Sequence, residues 1–218
     1  MEHRKQENNS IERRFLSGSE VRMVGENSRT IRGYAATFGK SYNMGWFDEE
    51  LSADALRNAD MTDVRALDNH MPDRILGRSK AGTVRVGVDQ IGIWYEADLP
   101  NTSVGNDMLE NIRVGNVDQS SWGFRLRNTK ETRGDKWELR NGRDYRILTD
   151  VEVVFDVSPV TFPANPDTSV AKRSHDEANN TETGDEAAES LAAQQAESLE
   201  IDLKVALLEH DITLTNLF

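Results

Sequence analysis

Short stretches in which apolar and polar residues alternate recur through most of this chain, and they constrain its fold more than any other feature. Successive side chains of a β-strand point to opposite faces, so each stretch predicts a strand with one buried face. The predicted strands are Glu20–Val24, Thr30–Thr37, Val64–Leu67, Thr83–Val88, Ile93–Asp98, Ser120–Asn128, Asp135–Leu139, Tyr145–Leu148 and Val151–Val157. The turn at 89–92 predicts a hairpin between two of them.

Two helices are predicted to interrupt this pattern. Ser52 begins the first, with Asp54 in its first turn, and Thr102 or Ser103 begins the second, which ends at Gly115. Many short strands with few helices predict a mainly β (α+β) fold. The expected architecture is a closed or nearly closed β-barrel with peripheral helices.

Composition divides the chain into four expected segments. Residues 1–20 are polar and predict a flexible lead-in, and residues 21–172 form the barrel domain. An acidic linker is expected at 173–185, followed by an amphipathic helical tail at 186–218. The apolar stripe of that tail must pack on the barrel, on a second copy of the chain, or on a scaffold or capsid subunit, or else the tail remains poorly ordered.

Charge is concentrated in the tail. The chain carries a net charge of −12; the segment 174–218 holds 11 acidic residues and a single base, Lys204, against 27 acids and 25 bases before it. No run of Lys and Arg with interleaved aromatic residues occurs, so a nucleic-acid surface is not indicated.

Several classes of site are excluded or not indicated. The chain has no cysteine, which excludes disulfides and thiol catalysis. His70 and Asp73 lack the further clustered ligands that a zinc site needs, so no metal or other cofactor is predicted. The chain starts without an apolar leader, and no stretch has the length of a membrane span. These features predict a protein of a reducing cytoplasm with no membrane partner.

A serine on the segment Asp118–Arg127 is the first candidate for chemistry. Trp122 and Phe124 share one face of the predicted strand with Ser120, and this face should turn to the core. Ser121 then lies on the outer face and is predicted to be accessible. A serine becomes a nucleophile only when a base and an orienting group converge on it.

Two other segments offer those groups. His70 lies where a strand gives way to a loop, and it is the only histidine inside the predicted folded body. In Val151–Val157, alternation places Val151, Val153, Phe155 and Val157 inward, with Asp156 outward. Taken alone, His70 is explained as a loop histidine that makes a structural hydrogen bond. Asp156, taken alone, is explained as a surface acid that pairs with Arg125 or Arg127.

Together these segments resemble the prohead (procapsid) maturation serine proteases of tailed bacteriophages, which are related to the herpesvirus assemblins. The resemblance covers roughly residues 31–170. It rests on motifs in order along the chain: Arg32–Phe38, Asn69-His70 with Leu76–Arg78, Gly82-Thr-Val-Arg-Val, Ser121-Trp-Gly-Phe124 and Val157–Ala164. The resemblance implies an assemblin-type barrel and a serine endopeptidase.

By this resemblance His70 is the catalytic base, Ser121 the nucleophile and Asp156 the third member. The family commonly has Glu at the position of Asp156, and assemblins use a second histidine, so His175 is an alternative. The family also usually has Phe where this chain has Trp122. The implied setting is the immature capsid in the host cytoplasm, where such enzymes cut scaffold or the scaffold-like part of the capsid protein, and themselves.

Two other functions are compatible with the residues. The first is a catalytically silent capsid assembly or scaffold factor on the same fold, with the acidic tail as its working part. The second is a hydrolase of small esters. Against the latter, Ser121 lacks the Gly-x-Ser-x-Gly elbow, since Gln119 precedes it by two positions.

Overall fold

The computed structural model describes residues 11–129, 131–161 and 171–178, without the side chains of residues 15–19. The strands are β1 (Glu12–Met23), β2 (Thr30–Thr37), β3 (Ser41–Asn43), β4 (Phe47–Leu51), β5 (Arg65–Leu67), β6 (Ile75–Arg78), β7 (Val84–Val88), β8 (Gly92–Asp98), β9 (Gln119–Leu126), β10 (Asp135–Arg140), β11 (Arg143–Leu148) and β12 (Val151–Val160). The helix α1 (Ser103–Arg113) lies between β8 and β9.

Eight strands form one nearly closed, barrel-like sheet, in the order β6-β5-β12-β9-β1-β2-β8-β7. A 3-10 turn, Ser79–Ala81, joins its two edge strands, and Thr83 N donates to Arg78 O across that turn at 3.2 Å. Close approach of the edges requires Gly77, because a Cβ there would lie 2.7 Å from Val84 Cγ2. The predicted mainly β, barrel-type fold is confirmed.

The remaining strands form a second sheet in the order β10-β11-β4-β3. Of these, β3 and β4 were not predicted from the sequence. Phe47 and Leu51 of β4 are buried in the core, and Phe47 lies 5.1 Å from Trp137 of β10 between ring centroids. This sheet also carries the buried charged residues Glu49 and Arg146.

Of the two predicted helices, one forms. Thr102 caps α1 by accepting a hydrogen bond from Gly105 N at 3.2 Å, as the sequence signals indicate. The predicted helix at Ser52 is wrong: residues 53–58 form successive turns, in which Ala55 N donates to Ser52 O and Arg57 N to Asp54 O. These i to i+3 bonds do not continue into an α-helical ladder.

Two expected segment boundaries differ from the structure. The lead-in was expected to extend to residue 20, yet β1 begins at Glu12. The linker was expected from residue 173, yet residues 171–178 are helical. The predicted tail at 186–218 lies outside the described residues. The chain divides into two units, Met1–Ala171 and Lys172–Phe218. Within the described ranges, no helix has the length and apolar character needed to cross a membrane.

Candidate active site

Side chains from three separate elements meet on one face of the large sheet. His70, in the loop after β5, lies between Ser121 of β9 and Asp156 of β12. Its Nε2 is 2.6 Å from Ser121 Oγ, and its Nδ1 is 2.6 Å from Asp156 Oδ1. The structure therefore brings together all three residues that the sequence nominates, in the order hydroxyl, imidazole, carboxylate.

Alternation along β9 separates its two adjacent serines. Trp122 and Phe124 are fully buried in the core, and Ser120, on their side, lies 2.7 Å from the hydroxyl of Tyr95. Ser121 lies on the opposite face and contacts His70. A serine held by a core tyrosine is unavailable to His70, so the local geometry distinguishes the two hydroxyls.

Ser121 is on the expected face, but the prediction that it is accessible is wrong. Its exposed fraction is 0 %. The first residues of β1 pair with β9 beside it, in the register Arg14 with Trp122 and Phe15 with Ser121. Ser121 Oγ donates a hydrogen bond to the carbonyl oxygen of Arg14 at 2.9 Å. The residues of β1 that make these contacts belong to the segment 1–20, which was predicted to be flexible because it is polar.

Backbone conformation presents His70 to the sheet. Asn69 and His70 have positive φ angles of 51° and 60°, in the left-handed region that residues other than glycine seldom adopt. Asn69 holds the turn in place, because its N donates to Pro159 O at 3.1 Å and its Oδ1 accepts from Thr161 N at 2.9 Å. Strained conformations that surrounding contacts enforce are typical of functional sites.

Two β-bulges determine which residues of β12 face the site. Its register with β9 shifts between Val151 and Val153 and again between Val154 and Asp156. The strict alternation predicted for this strand is therefore wrong: Val154 is buried, whereas Val153 and Phe155 are only partly buried. Because two shifts cancel, Asp156 still lies on the face of Ser121, as predicted.

The carboxylate of Asp156 fills a space that a glycine leaves open. Asp156 pairs with Gly123 across the strands, and a Cβ on that glycine would lie 2.2 Å from Asp156 Oδ2. Ser158 Oγ donates to Asp156 Oδ1 at 2.6 Å, and Ser158 is itself fully buried. Sequence reasoning missed this contact, although the spacing of two residues along a strand places Ser158 beside Asp156.

Neither nearby arginine takes Asp156 as its partner. Arg125 pairs with Glu152 at 2.7 Å, and Arg127 pairs with Asp150 at 3.2 Å. Each arginine therefore has an acid of its own on the outer face. This pairing removes the solvated ion-pair interpretation of Asp156 and leaves His70 and Ser158 as the hydrogen-bond partners of its Oδ1.

The alternative third member, His175, makes a different contact. Its Nδ1 lies 3.5 Å from Asp176 Oδ1, and it belongs to the second unit of the chain. In the structure, the carboxylate at His70 Nδ1 is that of Asp156.

A buried network of charges fixes the start of β1 next to the site. Its members, all nearly inaccessible, are Glu12, Arg14, Glu49, Asp135 and Arg146. Arg14 Nε donates to Glu49 at 2.6 Å, and Arg146 Nη1 donates to Glu12 at 2.7 Å. Burial alone would raise the pKa of Glu12, but the charges and hydrogen bonds of Arg14 and Arg146 outweigh it and lower that pKa from 4.5 to about 2.

This arrangement is suited to acyl transfer. A neutral imidazole hydrogen-bonded to a serine hydroxyl can accept its proton, and a carboxylate on the far nitrogen orients the ring and stabilises the imidazolium. These three side chains lie on one face of the large sheet, and the apolar residues of the opposite face are buried in the core. This arrangement is the type of site found in serine hydrolases.

Comparison with known proteins narrows this class. The family model of the caudovirus prohead serine proteases matches residues 17–182. The chain therefore belongs to the caudovirus prohead serine protease family. None of the curated proteins and none of the solved structures compared with the chain gives a significant match.

Proposed function

We propose that this protein is a serine endopeptidase that cleaves scaffold, or the scaffold-like part of the capsid protein, during phage capsid maturation. The observation that carries the proposal is the pair of 2.6 Å contacts linking Ser121, His70 and Asp156. Membership of the prohead protease family supports the capsid as the setting. The immature capsid in the host cytoplasm is its proposed location, with the capsid or scaffold protein as its partner.

The proposed reaction proceeds through a covalent intermediate. His70 Nε2 takes the proton of Ser121 Oγ while that oxygen attacks the scissile carbonyl carbon. The imidazolium then gives the proton to the leaving amine, and the peptide bond breaks. The same imidazole then takes a proton from water as the water oxygen attacks the acyl carbon; the bond from that carbon to Ser121 Oγ breaks, and the imidazolium returns the proton to Ser121 Oγ. Asp156 holds the Nδ1–H tautomer throughout and stabilises the charged ring.

Self-cleavage is part of the proposal. The segment 173–203 is acidic and lies mostly outside the described residues, beyond the strands that complete the barrel. A cut there leaves the barrel whole, and a chain ending near Arg173 is expected to fold. The detached tail would serve delivery into the assembling capsid rather than catalysis.

The experiment compares Ser121→Ala with the matched control Ser120→Ala by intact mass after purification. Ser121→Ala should remain full length, because it lacks the attacking oxygen, whereas Ser120→Ala and the wild type should lose the tail. Identical masses for all three chains would argue against self-cleavage. Trimming of Ser121→Ala at the wild-type rate would rule out this serine as the nucleophile.

A second function is favoured by one observation. Ser121 is fully buried, with the start of β1 paired beside it, and this is compatible with an assembly factor that uses the fold without catalysis. A reactive organophosphonate separates the two functions. Covalent labelling of Ser121 supports the protease, and a chain that never labels yet still assembles with capsid protein supports the assembly factor.

A further inference from the structure

The proposed nucleophile is in direct contact with the chain's own N-terminal segment. Residues Glu12–Phe15 run antiparallel to β9, with Arg14 opposite Trp122 and Phe15 opposite Ser121. The carbonyl oxygen of Arg14 lies 2.9 Å from Ser121 Oγ. A serine hydroxyl has one proton, so this carbonyl competes for it with the imidazole of His70.

Side chains of the same segment anchor it firmly. Glu12 and Arg14 are inserted among Glu49 and Arg146 of the second sheet and form hydrogen-bonded ion pairs with them. A charge buried in this way is costly to leave without its partner, so the segment stays in place as a unit. Glu12 and Arg14 together form the anchor, and Arg14 also makes the contact to Ser121.

The segment Glu12–Phe15 is separable from the rest of β1. Its register with β9 is interrupted between Phe15 and Glu20, whereas β1 pairs with β2 through Val21–Met23. The family match begins at residue 17, two residues beyond the end of this segment. Departure of Glu12–Phe15 from β9 breaks four of the five register pairs between β1 and β9, and it leaves Glu20 opposite Gln119 and the pairing of β1 with β2 in place.

We propose that Glu12–Phe15 is an autoinhibitory segment, which keeps Ser121 latent until it is displaced from β9. This inference rests on the proposed function, because only a nucleophile needs to be withheld. In the closed state the Arg14 carbonyl holds the proton of Ser121 and slows its reaction without abolishing it, so self-cleavage of the wild-type chain is slow. Its departure exposes the edge of β9 and frees the serine proton for His70.

The test measures how fast a fluorophosphonate probe labels Ser121 in the full chain. Arg13 is exposed, so Arg13→Pro disturbs the backbone pairing of the segment without removing a buried charge, and Arg13→Ala is its matched control. A second variant, Glu12→Gln, weakens the anchor instead. Both Arg13→Pro and Glu12→Gln should label roughly tenfold faster than the wild type, and Arg13→Ala should label at the wild-type rate.

The possible outcomes are distinct. Slow labelling of wild type with faster labelling of either folded variant supports the segment as an inhibitor. Equal labelling of wild type and both variants overturns the inhibition and leaves Ser121 as a nucleophile. No labelling of any chain, with Ser121→Ala as the blank, overturns the proposed nucleophile and the inhibition with it.

A separate contact identifies Ser158 as a positioning residue. Its hydroxyl donates to the same oxygen of Asp156 that His70 contacts, and Ser158 lies opposite Ser121 in the strand register. A carboxylate held by a fixed donor keeps its orientation toward the imidazole. We infer that Ser158 acts through Asp156 and does not touch the substrate.

A double-mutant cycle tests this role. Ser158→Ala should slow the labelling of Ser121 by about tenfold, and the same change in an Asp156→Asn chain should slow it by less than about twofold. A purely structural role for Ser158 predicts the same loss in both backgrounds. Either that result, or no loss in the parent chain, would contradict the assignment.

Discussion

At the scale of single residues, the hydrogen-bond partners of Ser120 and Ser121 decide which of the two hydroxyls can give its proton to His70. Ser120 is held by Tyr95 in the core, whereas Ser121 is held by His70 and by the carbonyl of Arg14. Alternation around Trp122 predicts the two orientations from sequence alone. The contact of Arg14 with Ser121 could not be predicted, because it comes from a segment that is distant in the chain.

The roles of His70 and Asp156 differ in what their loss should cost. His70→Ala removes the proposed base and should reduce the rate of peptide cleavage nearly as far as Ser121→Ala, since the effects of removing members of one catalytic unit are not additive. Asp156→Asn should cost less, but still about a hundredfold or more, because the wrong ring tautomer is favoured.

The measurement is kcat/KM for each variant on one peptide substrate, with His175→Ala as the control. The control should keep wild-type activity, because the carboxylate at His70 Nδ1 is that of Asp156. A neutral Asp156→Asn together with an inactive His175→Ala would show that His175 is the third member.

At the scale of elements, the site depends on how β12 departs from a regular strand. Its two bulges insert Glu152 and Phe155 as extra residues, which turns Val154 inward and leaves Asp156 beside Gly123. A period-two pattern cannot show bulges, because each one depends on the pairing with β9. The sequence therefore predicts the face of Asp156 correctly but the faces of Val153 and Phe155 wrongly.

Gly123 is predicted to be needed for the position of the carboxylate. In Gly123→Ala the new Cβ would lie 2.2 Å from Asp156 Oδ2, so the carboxylate must move by about an ångström. A displacement of that size at a catalytic group costs about a hundredfold in rate. The check is kcat/KM together with thermal unfolding, and a folded Gly123→Ala chain with wild-type activity would contradict the proposed role of Asp156.

At the scale of the whole molecule, a buried charge network joins the start of β1 to the second sheet. Glu12 pairs with Arg146 from a position 134 residues away, and Arg14 pairs with Glu49 across 35 residues. Sequence alone suggests that these charges are solvated, because their partners are distant in the chain. Their burial is why the expected lead-in is instead a strand.

This network predicts a specific loss of stability in acid. The pKa of Glu12 is about 2 in the folded protein and 4.5 ordinarily, so its contribution is fully present above pH 4.5 and is lost as the pH falls toward 2. At neutral pH, Glu12→Gln should lower the free energy of unfolding by on the order of 3 kcal/mol.

Urea unfolding between pH 2 and pH 6 checks this, with Ser121→Ala present in both chains to prevent self-cleavage. The difference in stability between the chain that keeps Glu12 and the chain that carries Glu12→Gln should narrow as the pH falls from 4.5 toward 2. A difference that stays constant over that range would mean that Glu12 is not held as a paired carboxylate.

The central claim is that Ser121, activated by His70 and Asp156, cuts scaffold or the scaffold-like part of the capsid protein. Its most direct test is co-expression of the chain with the capsid and scaffold proteins of the same phage, followed by intact mass measurement of every partner. With the wild type, discrete cuts should appear in the scaffold or in the scaffold-like part of the capsid protein, and with Ser121→Ala both partners should remain whole. Uncut partners that still assemble with the wild type would contradict the claim, as would the same cuts with Ser121→Ala.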